Sequence, residues 1–175
     1  MLLFSLRWIF AISLTLLVAT PVAAASTAKA ALTQVKAAAA AWQADAVLTH
    51  ISTLTAKADG KANSWLYTVY SPKAKKSAII TAHDGKTAVE PDVRNTSIAP
   101  LTTDFLDSDK VLDAARKAGL KTGKDGIGLG LTTFGQATGK QRVYWTVTVM
   151  GASGFSSVTL DPKDGKLIKR DDVKF

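Results

Sequence analysis

Cysteine is missing altogether from the 175 residues. Neither a disulfide nor a thiolate metal site is open to this chain, so its stability has to come from a packed core. Histidine is nearly missing too: His50 and His83 are the whole supply. A zinc site wants clustered nitrogen or sulfur donors, so no metal ion is expected. Acidic residues are outnumbered, 14 against 22 basic ones. The surplus is scattered, its densest cluster being Lys73, Lys75 and Lys76 in "SPKAKKS". A nucleic-acid module concentrates charge in a stripe, so no nucleic acid is expected as partner; the surplus suits an anionic envelope component or a plain solvated surface.

Catalytic patterns are missing as well. "GASGFSS" around Ser153 is not a nucleophile elbow and has no nearby histidine. "GQATGKQ" from Gly135 is one residue short of a phosphate loop and lacks the closing Ser or Thr, and "GIGLGL" reads as a strand. At "DPKDGKLIKRDD", with Gly165 as the loop glycine, Pro162 and the preceding Leu160 stand where an EF-hand needs oxygen donors. No cofactor and no catalytic residue is expected, and the protein reads as a non-enzyme.

What is present begins with "MLLFSLRWIFAISLTLLVATPVAAAST": one basic residue, Arg7, an apolar run, a helix-breaking Pro21 and small residues. That order is a secretory signal peptide over residues 1–25, cut after Ala24 or Ala25. The apolar span from Leu2 to Val18 leaves an uncleaved anchor as the other reading. Cleavage would remove one basic and no acidic residue from a formal net charge of +8. The localisation that follows is periplasmic or secreted, in a bacterial envelope.

The rest of the chain is written twice. Moving 80 residues along brings Trp65 onto Trp145, Thr68 onto Thr148, Val69 onto Val149, and Asp84, Gly85 and Lys86 onto Asp164, Gly165 and Lys166. Further back Leu32 meets Leu112 and Asp45 meets Asp125. Two repeats follow, residues 26–93 and 108–175, with a polar, proline-bearing linker over 94–107.

Each repeat opens with a helical pattern, "TAKAALTQVKAAAAAW" or "SDKVLDAARKAGL", the second capped by Asp107 or Ser108 and ended by Gly119. Alternating strands follow: "AVLTHISTL" or "GIGLGLTTF", a polar connection, "WLYTVY" or "VYWTVTVM", then "SAIITA" or "SSVTLD". The Asp-Gly pair turns the chain into "KTAVE" or "KLIKR". This is an α+β fold in which two similar units form one continuous antiparallel sheet with both helices on one face.

Strand alternation assigns the faces. Trp65, Tyr67, Val69, Ala78 and Ile80, with Trp145, Val147, Val149, Val158 and Leu160, should lie under the helices. Leu66, Thr68, Tyr70 and Ile79, with Tyr144, Thr146, Thr148, Met150 and Thr159, should form the other face, too apolar for a plain wet surface. Gly128 and Gly130 strip side chains from a strand face where the first repeat has Leu48 and His50. Candidate partner-binding residues are Leu66, Tyr70, Tyr144 and Met150 on the open face, and Phe155, Lys73, Lys75 and Lys76 at loop tips.

The stretch "YWTVTVMGASGFSSVTLDPKDGKLIKRD", and more weakly "WLYTVYSPKAKKSAIITAHDGKTAVE", resembles the PepSY domain. The resemblance implies a non-enzymatic exported module that binds or inhibits a protein or peptide, such as an envelope peptidase. The tandem arrangement is also similar to that of β-lactamase inhibitor proteins, which grip an enzyme with a concave sheet made of two repeats; their disulfides have no counterpart here. The alternative function is a structural accessory subunit of a membrane complex, held by the uncleaved N-terminal helix.

Overall fold

A computed structural model describes residues 25–94, 98–101, 104–123, 126–134 and 142–175. Residues 1–24 of the expected signal peptide, residues 135–141 of the "GQATGKQR" connection and parts of the expected linker lie outside the described residues. Among the described residues, no helix is long and apolar enough to cross a membrane.

Ten elements follow one another among the described residues: α1 (Leu32–Trp42), β1 (Val47–Ala56), β2 (Ser64–Ser71), β3 (Lys76–His83), β4 (Lys86–Val93), α2 (Ser108–Lys117), β5 (Ile127–Phe134), β6 (Arg142–Gly151), β7 (Gly154–Leu160) and β8 (Leu167–Lys174). The strands form one antiparallel sheet in the order β4-β3-β2-β1-β5-β6-β7-β8. The sheet grows outward in sequence order on each side of the central β1–β5 pair. This is an α+β fold, as the alternation of patterns predicts.

The two helices form for different reasons. α1 has no side-chain cap and no acid in its first turn, and rests on its alanines, the best intrinsic helix formers. α2 is strongly two-faced and well capped. Asp109 lies in its first turn and Arg116 and Lys117 in its last, matching the helix dipole, and Gly119 takes φ +88° just beyond it. The Asp107 carboxylate accepts from the Ser108 N–H at 2.8 Å and also from the Lys29 N–H at 2.9 Å, while the Ala28 N–H donates to Ser108 Oγ. One carboxylate thus fastens the start of α2 to the turn that leads into α1. Asp107→Ala should cost about 1–2 kcal/mol in urea unfolding, since two backbone donors lose their acceptor.

A single core lies between the helices and one face of the sheet. Trp65, Tyr67, Val69, Ala78, Ile80, Trp145, Val147, Val158 and Leu160 are all buried, and Val149 packs against them, as alternation predicts. The two tryptophans are anchored alike: Trp65 Nε1 donates to the Ser26 carbonyl at 2.9 Å and Trp145 Nε1 to the Leu106 carbonyl at 3.1 Å, each 39 residues back. Tyr67 donates its hydroxyl to the Ala28 carbonyl at 2.8 Å, and burial, with the Asp107 charge adding to it, pushes its phenol above the usual tyrosine range.

The expected linker is not a tether. Ala99, Leu101 and Phe105 are buried, Phe105 meets Trp145 edge-on at 6.1 Å, and the Leu101 N–H donates to the Leu48 carbonyl. Its proline and polar residues are interspersed with apolar side chains that close the core between the two halves.

Both Asp-Gly pairs turn the chain, but differently. Asp84 and Gly85 sit at φ 53° and 70° between the paired residues His83 and Lys86, the two-residue turn that needs positive φ twice. In the second half Asp161 and Lys166 close a longer loop with Gly165 at φ 73°. The acids of that loop serve its own backbone: Asp161 accepts from the Lys163 N–H and Asp164 from the Lys166 N–H.

Candidate functional site

With both helices on one side, the opposite face of the sheet is where a partner can be met. Cross-strand pairing lines its side chains up in rows. One row runs Thr81, Leu66, Ser52, Gly130, Thr146, Thr159 and Lys169, from β3 to β8. Small and hydroxyl side chains dominate that row, and at its centre there is no side chain at all.

Gly130 and, one row along, Gly128 make the floor of a groove of about 420 Å³. Ser52 and Leu54 of β1 form one wall, Thr146, Thr148 and Met150 of β6 the other. Leu54 is 80% exposed and Met150 53% exposed, so each offers apolar surface at the rim, and Leu66 adds more at 39%. A Cβ at Gly130 would meet nothing nearer than His50 Cε1 at 3.9 Å, and one at Gly128 nothing nearer than 3.7 Å. The glycines are therefore not forced by crowding; they leave room.

Of Leu48 and His50, which the 80-residue offset sets at the positions of those glycines, only His50 lies on the same face. β1 bulges between Leu48 and His50, which turns Leu48 onto the core side, where it packs beside Val69. His50 stands on the open face between Thr68 and Thr132. Burial holds its imidazole below the ordinary value of 6.5. In the unfolded chain the ring binds its proton at about pH 6.5, but the folded chain resists it until lower pH. Stability should therefore fall as pH drops below about 6.5, and His50→Gln should flatten that part of the profile, as thermal melts across pH 5–7 will show. The acid-side losses from Asp45, Asp59 and Asp172 come separately, below the ordinary carboxylate value of 3.8, because all three are lowered by hydrogen bonds and not by burial.

The expected binding residues do not form one patch. Leu66, Tyr144 and Met150 share the open face with the groove, yet Tyr70 lies at the far end of β2, four rows from Met150, or roughly 25 Å along the strand direction. Tyr70 belongs instead with Lys75 and Lys76, around a concavity of about 530 Å³ that includes Asp92 and Arg94. There the basic cluster is partly engaged: Lys76 pairs with Asp92 at 3.0 Å, and the hairpin is pinned by Asp45, which accepts from the Ser71 hydroxyl and the Lys73 N–H. Lys73 and Lys75 are exposed.

Phe155 is not at a loop tip. Gly151 pairs with Gly154, so the turn is Ala152 and Ser153, and Phe155 is a half-buried strand residue opposite Met150 with its ring 6.4 Å from that of Phe175. It extends the apolar rim at the Met150 end of the groove. Ser52 and Leu54 were not expected at the site; they fall on the same alternation as His50, which is the signal that could have found them.

No protein-family model matches the chain, and no curated protein matches its sequence. One solved structure is similar, that of a candidate lipoprotein from Clostridium difficile 630. It aligns at a TM-score of 0.53 with 12% identity, covering 81% of this chain and 92% of the other. The shared property is the fold.

Proposed function

We propose that this chain is an exported, non-enzymatic binding protein that holds a protein or peptide partner on the open face of its sheet, and that regulates or inhibits an envelope enzyme such as a peptidase. One observation carries the reading: the helices cover one face, and the other has a groove with a glycine floor and with Leu54, Leu66 and Met150 exposed around it. Exposed apolar side chains beside a slot are what a partner's aromatic or aliphatic anchor fills.

Several features support two copies of one PepSY-like unit as the frame. The strands run outward in sequence order on both sides of the β1–β5 seam, and both tryptophans donate to a carbonyl 39 residues back. Burial follows the 80-residue offset from Ala28 to Ser108, Ala31 to Val111 and Val35 to Ala115. Export rests on the leader-like residues 1–25. If they are an uncleaved anchor instead, the accessory-subunit role takes over; mass spectrometry of the mature N-terminus decides, since a chain starting at Ala25 or Ser26 has no anchor.

The binding reading is tested by capture from envelope extract with the wild type and with a Leu54→Ser/Leu66→Ser/Met150→Ser variant, each captured species then being assayed for peptidase activity with and without added wild type. Loss of a partner in the variant, and inhibition by the wild type, are expected. The same partners on both proteins would remove the open face from the account.

A further inference from the structure

The two edges of the sheet are not alike. β4 is closed against strand addition: Pro91 has no N–H to give, and Asp92, at φ 59°, bulges out of the ladder between the pairs Ser77–Val93 and Ala78–Pro91. β8 has neither device from Lys169 onward, where it pairs one for one with β7 as far as Lys174 and Gly154. It carries no proline, and no described strand pairs with its outer edge. Leu167, Ile168, Val173 and Phe175 are exposed on and beside it. A straight edge with apolar side chains at its two ends is a template for another strand, and its charged middle, Lys169 to Asp172, decides which strand fits.

We propose that β8 pairs antiparallel with β8 of a second copy of this chain, joining the two sheets into one. The order of charges selects a second copy over an unrelated strand. Residues 169 to 172 read Lys, Arg, Asp, Asp, two positive then two negative, so an antiparallel copy set one residue off end-to-end alignment brings opposite charges face to face. A two-fold axis normal to the sheet keeps each face on its own side, so it must pass through a residue of β8. If it passes through Arg170, Lys169 of each copy faces Asp171 of the other. If it passes through Asp171, Arg170 of each copy faces Asp172 of the other. Either register makes two direct pairs of opposite charge.

The like pair left on the axis is already neutralised within its own strand. Arg170 Nε donates to Asp172 Oδ2 at 2.8 Å, and the guanidinium also reaches back to the Ala118 carbonyl beyond α2. Asp171 is paired with Lys169 at 2.9 Å. Opening the edge to a second copy therefore turns two in-strand pairs into an alternating network. β4 offers no such order and cannot compete for the same partner.

The interface is a single strand pair, in the small and weak class of contacts, so association should be read by analytical ultracentrifugation up to about 100 μM. The wild type should dimerise, and at least tenfold more weakly in high salt. Lys169→Glu/Arg170→Glu and Asp171→Lys/Asp172→Lys should each be monomeric alone yet form a heterodimer when mixed. Thermal melts check that both variants remain folded, as exposed substitutions should. A monomeric wild type at the highest concentration overturns the proposal. So does a dimer that survives in either variant, or a mixture that fails to associate.

Discussion

Replacing Trp145 by alanine should destabilise the protein by about 3–5 kcal/mol, the range for removing a fully buried large aromatic. Trp145 has no exposed surface, meets Phe105 edge-on, and donates to the Leu106 carbonyl at 3.1 Å. The substitution empties the middle of the core and leaves that carbonyl without its donor. Trp65→Ala should cost a similar amount, because Trp65 is equally buried and anchored on Ser26. In a chain of this size the loss should lower Tm by roughly 6–20 °C. With no disulfide to limit the unfolded state, either variant uses up a large share of a typical folding free energy of about 5–15 kcal/mol. Trp145→Phe separates the two contributions in part: it keeps most of the volume and loses the hydrogen bond and the contacts of one ring, for about 1–2 kcal/mol. Urea unfolding of the three variants measures this, and a cost for Trp145→Ala below about 1 kcal/mol would mean that the core is not built around this ring.

Filling the groove should act in the opposite direction on stability. Gly128 and Gly130 are interior strand residues at ordinary backbone angles, and glycine there is destabilising by about 0.5–1 kcal/mol relative to a residue with a side chain. A Cβ at either position meets only ordinary contacts. Gly130→Val should therefore fold at least as stably as the wild type, with Tm unchanged or up by a few degrees, because a β-branched residue suits a pleated surface. Its side chain would stand where a partner's anchor goes, and affinity should fall by tenfold or more, about 1.4 kcal/mol. The pairing of a stable fold with lost binding separates a groove kept open for a ligand from glycines kept for packing. A variant that binds as the wild type does would empty the groove of function.

Much of the fold was legible because alternation and repetition reinforce each other. The buried face of β2, β3, β6 and β7 follows from where Trp, Tyr, Val, Ile and Leu fall on odd and even positions. The Asp-Gly-Lys marks place the last hairpin of each half. What stayed hidden has local physical causes. A bulge shifts strand parity by one residue with no compositional mark, so Leu48 moved to the core unannounced. Pro100 and its polar neighbours suggested a linker and drew attention from Leu101 and Phe105. The groove was half legible. "GIGLGL" announced a stripped face, but the wall opposite, Ser52 and Leu54, depends on which strand lies next to β5. That pairing joins residues about eighty positions apart, so no local pattern carries it.

The absence of cysteine makes the proposed binding face directly measurable, since any thiol introduced into this chain is the sole one. Single cysteines at Leu54, Leu66 and Met150 report on the open face, and at Lys36 and Lys117 on the helix side. Each is reacted with a thiol reagent with and without the captured partner. The account predicts that labelling slows at least tenfold at the three open-face positions when partner is present and stays unchanged at the two helix positions. Protection at Lys36 or Lys117, with free labelling at Leu66 and Met150, would contradict it.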